Sequence, residues 1–198
     1  MKKKILVVAM LAVFASIAAT GTLAYFTAEE SAVNVITSGG IGIEIVEKTV
    51  ADSGAEVDFP EEGLSNVMPG TSASKIVRIK NTGKSDAWIR VKMESTIVSA
   101  DGQELPIEIG ETAKEPVMEC EILEGWSDGG DGYYYYNEPV GSEGFTKELI
   151  DTVKFNPAMG NEYQGCTANI EISAQAVQKA NNGDTVMEAK GWPETMGE

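Results

Sequence analysis

The sequence predicts an all-β fold, a jelly-roll-like β-sandwich with short helical insertions. Three observations predict it. Apolar and polar residues alternate in run after run, the period-2 pattern of half-buried strands. Turn-forming clusters separate those runs at short intervals. Twenty-one glycines and seven prolines are spread over 198 residues, with no fixed repeat and no long low-complexity tract. Many short strands joined by frequent turns favour a sandwich.

The first element is not part of that fold. Met1-Lys2-Lys3-Lys4 is a compact positive patch, and Ile5 to Ala19 follows without a charge. The apolar run falls short of the roughly 20 residues of a spanning helix, and it is the length of a signal-peptide core. Thr22 and Ala24 supply small residues before Tyr25. Residues 1–24 are therefore expected to be a signal peptide cut between Ala24 and Tyr25, with an uncleaved N-terminal anchor as the alternative.

Downstream, Ile41, Ile43 and Ile45 interleave with Gly42 and Glu44. Val77 and Ile79 alternate with Arg78 and Lys80; Ile89, Val91 and Met93 alternate with Trp88, Arg90 and Lys92. Met118, Cys120 and Ile122 alternate with Glu119 and Glu121. The longest stripe is Ala168, Ile170, Ile172, Ala174 and Ala176, facing away from Asn169, Glu171, Ser173 and Gln175. Each of these reads as a strand. Met68-Pro69-Gly70, Asn81-Thr82-Gly83, Ala100-Asp101-Gly102, Ser127 to Gly132 and Asn181-Asn182-Gly183 read as turns. The helical insertions are expected at Glu29 to Ile36 and Thr146 to Val153. The sandwich is expected over 25–184, and 185–198, which lacks alternation, is expected to be a flexible tail.

Composition excludes several functions. Fifteen Lys plus Arg against 31 Asp plus Glu give a net charge of -16, the wrong sign for nucleic acid. Removing three lysines with the leader leaves 12 bases against 31 acids, or -19. No histidine is present, so Ser-His-Asp and Cys-His mechanisms and imidazole-dependent zinc sites are excluded. No metalloprotease helix, nucleophile elbow or phosphate loop occurs, and neither a catalytic residue nor a cofactor is expected. Charge is segregated: residues 75–92 hold six bases and one acid, and residues 101–151 hold fourteen acids and two bases. Solvated strand faces explain this, and a head-to-tail pairing of basic and acidic patches is the alternative.

Three groups stand out as candidate sites. Cys120 and Cys166 lie on the apolar side of their stripes, so they are a possible disulfide or two buried thiols. Asp128 and Asp131 sit among glycines in Ser127 to Gly132, a calcium-like spacing that lacks the closing Glu of an EF-hand. A hairpin tip explains the same residues. Tyr133 to Tyr136, if a strand, send two rings each way, one pair to the core and one to the surface. An exposed pair would suit a sugar or a protein partner.

The chain also carries motifs of a known group. Gly21-Thr22-Leu23-Ala24-Tyr25-Phe26-Thr27 resembles the junctions processed by a dedicated SipW-type signal peptidase of Gram-positive bacteria. Asn34 to Ile43, Leu64 to Gly70, Val77 to Gly83, and Tyr163-Gln164-Gly165 leading into the Ala168 to Ala176 stripe follow in order. Together they resemble the TasA/camelysin family of biofilm-matrix and cell-surface proteins, over residues 20–93 and 163–182. The resemblance implies a secreted jelly roll, found in the extracellular matrix or at the cell surface. It also implies a fibre subunit whose N-terminal strand completes the sheet of its neighbour. That donor strand would be residues 25–37, with Tyr25, Phe26, Val33 and Val35 as its apolar positions. The expected partners are further copies of the chain and the signal peptidase, with the membrane met only through the leader. A monomeric adhesin is the second expectation. The metallopeptidase activity associated with camelysin does not carry over to a chain without histidine.

Overall fold

The computed structural model describes residues 27–31, 34–36, 40–60 and 68–193. The expected cleavage residues Ala24 and Tyr25, together with Phe26 and Val33 of the expected donor strand, lie outside them. Among the described residues no helix is long and apolar enough to cross a membrane.

The chain is built of antiparallel strands. In order they are β1 (Thr27–Ser31), β2 (Asn34–Ile36), β3 (Ile43–Val50), β4 (Glu56–Asp58), β5 (Ser72–Ser74), β6 (Ile76–Asn81) and β7 (Ala87–Val98). There follow β8 (Glu104–Leu105), β9 (Glu108–Ile109), β10 (Glu115–Pro116), β11 (Met118–Cys120) and β12 (Trp126–Asp128). The last are β13 (Tyr134–Tyr136), β14 (Thr152–Phe155) and β15 (Thr167–Gln178). The large sheet runs β12-β13-β7-β15-β1-β2, with β8 added to β7. Smaller sheets are β4-β3-β6, β11-β14-β5 and β10-β9.

The alternating stripes place the core. Ile41, Ile43, Val77 and Ile79 meet Ile89, Val91, Ile172, Ala174 and Ala176 of the large sheet in one buried cluster. Two sheet layers thus close over a shared apolar filling, as half-buried strands require. A second cluster, with Ile97, Val117, Val153, Phe155, Tyr163, Cys166 and Ala168, extends the interior under β14. β7 and β15 are the spine: they pair along their whole length, from Thr167 opposite Val98 to Gln178 opposite Ala87.

The described residues of both expected helices are extended chain. Glu29 to Ile36 falls instead on β1 and β2, which pair with each other in the register Glu29–Ile36 to Ser31–Asn34. Its β-branched residues suit a pleated surface, and the edge of β15 offers partners that a short isolated helix lacks. Thr146 to Val153 runs beside β6. Thr146 N–H donates to Ile79 O, Leu149 N–H to Val77 O, and Val77 N–H to Ile150 O. Ile79 N–H donates to the Thr146 hydroxyl at 3.0 Å, so a side chain stands in for a carbonyl of the ladder. That substitution hides the segment's extended character from a pattern search. Among the described residues the helical insertions are single 3-10 turns at Asn161–Tyr163 and Val186–Glu188.

The expected flexible tail is also corrected over its described residues, 185–193. Val186 and Ala189 are buried against Trp88, Tyr133, Tyr135 and Val177, and Trp192 packs on the same cluster. The turn before them is held from both sides: Trp88 Nε1 donates to Asn182 O at 3.0 Å, Asn182 Nδ2 to Lys190 O at 3.0 Å, and Lys190 N to Asn182 Oδ1 at 2.8 Å. Residues 185–193 are a strap over the outer face of the large sheet.

Candidate functional site

The strand β15 has one edge filled by β7 and the other offered to the N-terminal segment. β1 takes that edge antiparallel, with Thr27 opposite Val177, Glu29 opposite Gln175 and Ser31 opposite Ser173. Toward the interior β15 presents Ala174 and Ala176, both fully buried. Toward the outside it presents Ser173, Gln175 and Val177, the last two buried beneath the strap region. Val35, expected in the donor strand, is on β2, opposite Glu30. Among the described residues β2 ends the sheet on this side.

Across β15 from this edge sits an arginine in an aromatic box. Arg90 is on β7, opposite Gln175 on one side and Tyr135 on the other. Its Nε and Nη2 donate to Gln175 Oε1 at 2.9 and 2.7 Å, and its Nη1 donates to the Tyr135 hydroxyl at 3.0 Å. The guanidinium lies 3.9 Å from the Tyr133 ring centre and 4.7 Å from that of Trp192. Planar stacking with in-plane donors is the use to which arginine, not lysine, is suited.

The hairpin tip closes the box. Asp128 accepts from Gly130 N–H at 2.8 Å; Asp131 accepts from Tyr133 N–H at 3.1 Å and from the Tyr135 hydroxyl at 2.7 Å. Burial opposes the charge of Asp131, but the Tyr135 hydroxyl, the Tyr133 N–H and nearby Arg90 outweigh it and hold the carboxyl below its usual range. A Cβ at Gly129 would overlap the Tyr135 ring, so the tip requires glycine there. The two carboxylates with calcium-like spacing thus cap a hairpin, and among the described residues no three Cys, His, Asp or Glu groups gather as metal ligands.

The tyrosine run departs from expectation. Tyr136 packs in the main core, 5.1 Å from the Trp126 ring at a 52° tilt. Tyr133 and Tyr135 lie under the strap, and only Tyr134 is half-buried. Both faces are covered, so the run offers no exposed aromatic pair for a sugar. The basic stretch is likewise neutralised within the chain. Lys75 pairs with Glu47 at 2.6 Å, Arg78 with Glu56 and Glu148 at 2.9 and 2.6 Å, Lys80 with Glu143 at 2.8 Å and Lys92 with Glu94 at 2.8 Å. Among the described residues most bases of this stretch are thus paired locally, as solvated strand faces would be.

Cys120 and Cys166 are both free thiols against the cluster beneath β14. Burial pushes Cys120 up to about 11, against a smaller opposing pull from Lys75, and burial also raises Cys166. The thiolate is the reactive form. Both cysteines are therefore expected to resist a thiol reagent at pH 8 until denaturant is added. Because the raised value favours the neutral thiol, stability from Cys120 is complete below pH 9 and is lost as pH rises toward 11. Rapid labelling of both thiols in the folded protein at pH 8 would contradict this.

Sequence reading missed Arg90, Gln175, Asn182 and Trp192 as a unit. Gln175 sat in a stripe that looked solvent-facing. The available signal was Val186, Ala189 and Trp192 following the Asn182-Gly183 turn, three apolar residues with no alternation to place them on a strand.

The class this geometry defines is an all-β protein whose first described strand lies between β15 and β2 in the large sheet. Comparison with family models, curated proteins and solved structures finds no match to the chain.

Proposed function

We propose that the chain is a secreted structural protein of the biofilm matrix or cell surface, a jelly-roll subunit that assembles by N-terminal strand donation. The supporting observation is the position of β1. It is the first described strand after the proposed cleavage point, and it lies on β15 as an addition to a sheet whose core is supplied by later strands. Strand addition draws affinity from main-chain hydrogen bonds, so a copy of the same segment from a neighbour fits the same edge. Cleavage between Ala24 and Tyr25 would free that segment from the membrane and permit the exchange. The buried tyrosines favour this reading over a sugar-binding adhesin.

The test compares residues 25–198 with residues 38–198 by electron microscopy and light scattering. Fibres from the longer chain and none from the shorter are the expected result. Fibres unchanged by the deletion, or a longer chain that remains monomeric at all concentrations, would sink the proposal.

A further inference from the structure

The spine of the molecule has two unlike ends. β7 and β15 are 12 residues each, on the order of 40 Å of extended chain. They are antiparallel, so Ala87 and Gln178 share one end, and Val98 and Thr167 the other. At the first end lies a depression of about 850 Å³, walled by Lys179, Asn181, Asp184, Met187, Glu188 and Lys190. Main-chain bonds fix its walls: Lys179 N–H donates to Asp86 O at 2.9 Å, and Asn182 N–H to Lys179 O at 3.1 Å. The Asn182 amide holds the Lys190 backbone on the other side. Lys179 and Lys190 make no ion pair among the described residues, and nor does Lys84 on the adjoining turn. Glu188 is occupied, its Oε2 accepting from Asp184 N–H at 3.2 Å and from Thr185 N–H at 3.3 Å. Residues 84–86 and 179–190 together carry three bases and three acids. These segments are therefore neutral in a chain of net charge -16.

The second end carries a knob. β8 closes on the last residues of β7, and the chain then turns into the β9–β10 hairpin, which pairs with no other strand among the described residues. Residues 106–116 are exposed throughout except Ile109, which packs on the cluster beneath β14 and anchors the hairpin. The stem is held as well, by Val117 N–H donating to Ile107 O at 2.8 Å. Residues 99–116 carry five acids and one base. Glu108 and Glu111 take no side-chain hydrogen bond or ion pair among the described residues. Beside them Ile107 is 46% exposed, and at the opposite end Met187 is 55% exposed on the wall of the depression.

We propose that these two ends fit each other between copies: the β9–β10 hairpin of one copy seats in the Lys179–Lys190 depression of a second copy. Glu108 and Glu111 bring acceptors to two ammonium groups that lack them, and Ile107 and Met187 bring apolar surface to cover. Charge selects the orientation. Two hairpin ends brought together set five acids against five, and like charges face to face are costly. The lysine end offers the hairpin free cations instead. A contact between unlike ends does not close on itself, so it propagates along the strand axis. It deepens the fibre reading and rests on its premise that copies associate, but it involves neither β1 nor the exchange of that strand.

Cysteine trapping in the chain of residues 25–198 tests the contact. Thr112→Cys places a thiol at the hairpin tip and Met187→Cys one on the depression; both positions are exposed, and both changes leave every charge in place. At equal total concentration, a mixture of the two single variants is expected to cross-link about tenfold faster than either alone at low salt, as steering by complementary charge allows. At about 1 M salt, where screening acts within about 3 Å, the advantage should vanish. Mass spectrometry assigns the bond to residues 112 and 187 and separates it from the native thiols. Lys179→Glu with Lys190→Glu in the Met187→Cys chain should remove the advantage. Glu108→Lys with Glu111→Lys in the Thr112→Cys chain should remove it too, and mixing the two reversed chains should restore it. Equal rates in the mixture and in the single variants overturn the inference, as does a reversed pair that fails to recover. Fibres without the 112–187 bond would overturn this contact and leave strand donation standing. The bond without fibres would support the contact and count against donation.

Discussion

A chain ending at Gly183 is expected to lose about 3–5 kcal/mol of unfolding free energy, the scale of removing a large aromatic side chain from a packed interior. The segment removed holds Val186, Ala189 and Trp192, which cover Trp88, Tyr133, Tyr135 and Val177 on the outer face of the large sheet. The Asn182 amide would also lose both bonds to Lys190. Trp88 is 2% exposed and Val177 fully buried, so the truncation uncovers contiguous apolar surface. Urea unfolding should show the lower midpoint, and an apolar dye should bind the truncated chain far more strongly. Trp192→Ala alone should give a smaller loss, about 2 kcal/mol, since it leaves Val186 and Ala189 in place. Unchanged stability on truncation would restore the loose tail that the sequence suggests.

What was legible in the sequence follows from which interactions are periodic. Ile43–Ile45, Ile89–Met93 and Ala168–Ala176 fall on β3, β7 and β15 because a strand with one buried face writes its burial into every second residue. The turns at Asp101-Gly102 and Asn181-Asn182-Gly183 were legible too, since positive φ at Gly102, Asn181 and Gly183 demands those residue types. The segments that failed lack such a code. Thr146 to Val153 has adjacent buried Leu149 and Ile150, and it is extended through partners on β6 about seventy residues earlier in the chain. Glu29 to Ile36 has β structure only because β15 lies beside it. The strap was illegible for the opposite reason. Its apolar residues are placed by a single surface, and that surface includes Trp88 and Tyr135 from positions that alternation assigns to solvent. Arg90 and Gln175 stood in outward-facing stripes, and no local pattern tells an outward residue from one covered by a distant segment.

Arg90→Met is expected to cost about 2–4 kcal/mol, although methionine fills much of the same volume. The reason lies in what the substitution strands. Gln175 Oε1 takes two of its bonds from Arg90 in an almost fully buried position, and the Tyr135 hydroxyl takes a third. Removing the donors leaves the acceptor without compensation, and that penalty outweighs the gain from burying a neutral side chain. Arg90→Lys should recover only part of the loss, because an ammonium cannot serve Gln175 through two coplanar nitrogens while stacking on Tyr133 and Trp192. Arg90→Met combined with Gln175→Leu tests that reason. With donor and acceptor both removed, stability should return to within about 1 kcal/mol of the parent, as replacement of buried polar pairs by apolar groups allows. Should the double substitution stay as unstable as Arg90→Met alone, the cost would lie in the lost stacking on Tyr133 and Trp192 and not in a stranded acceptor.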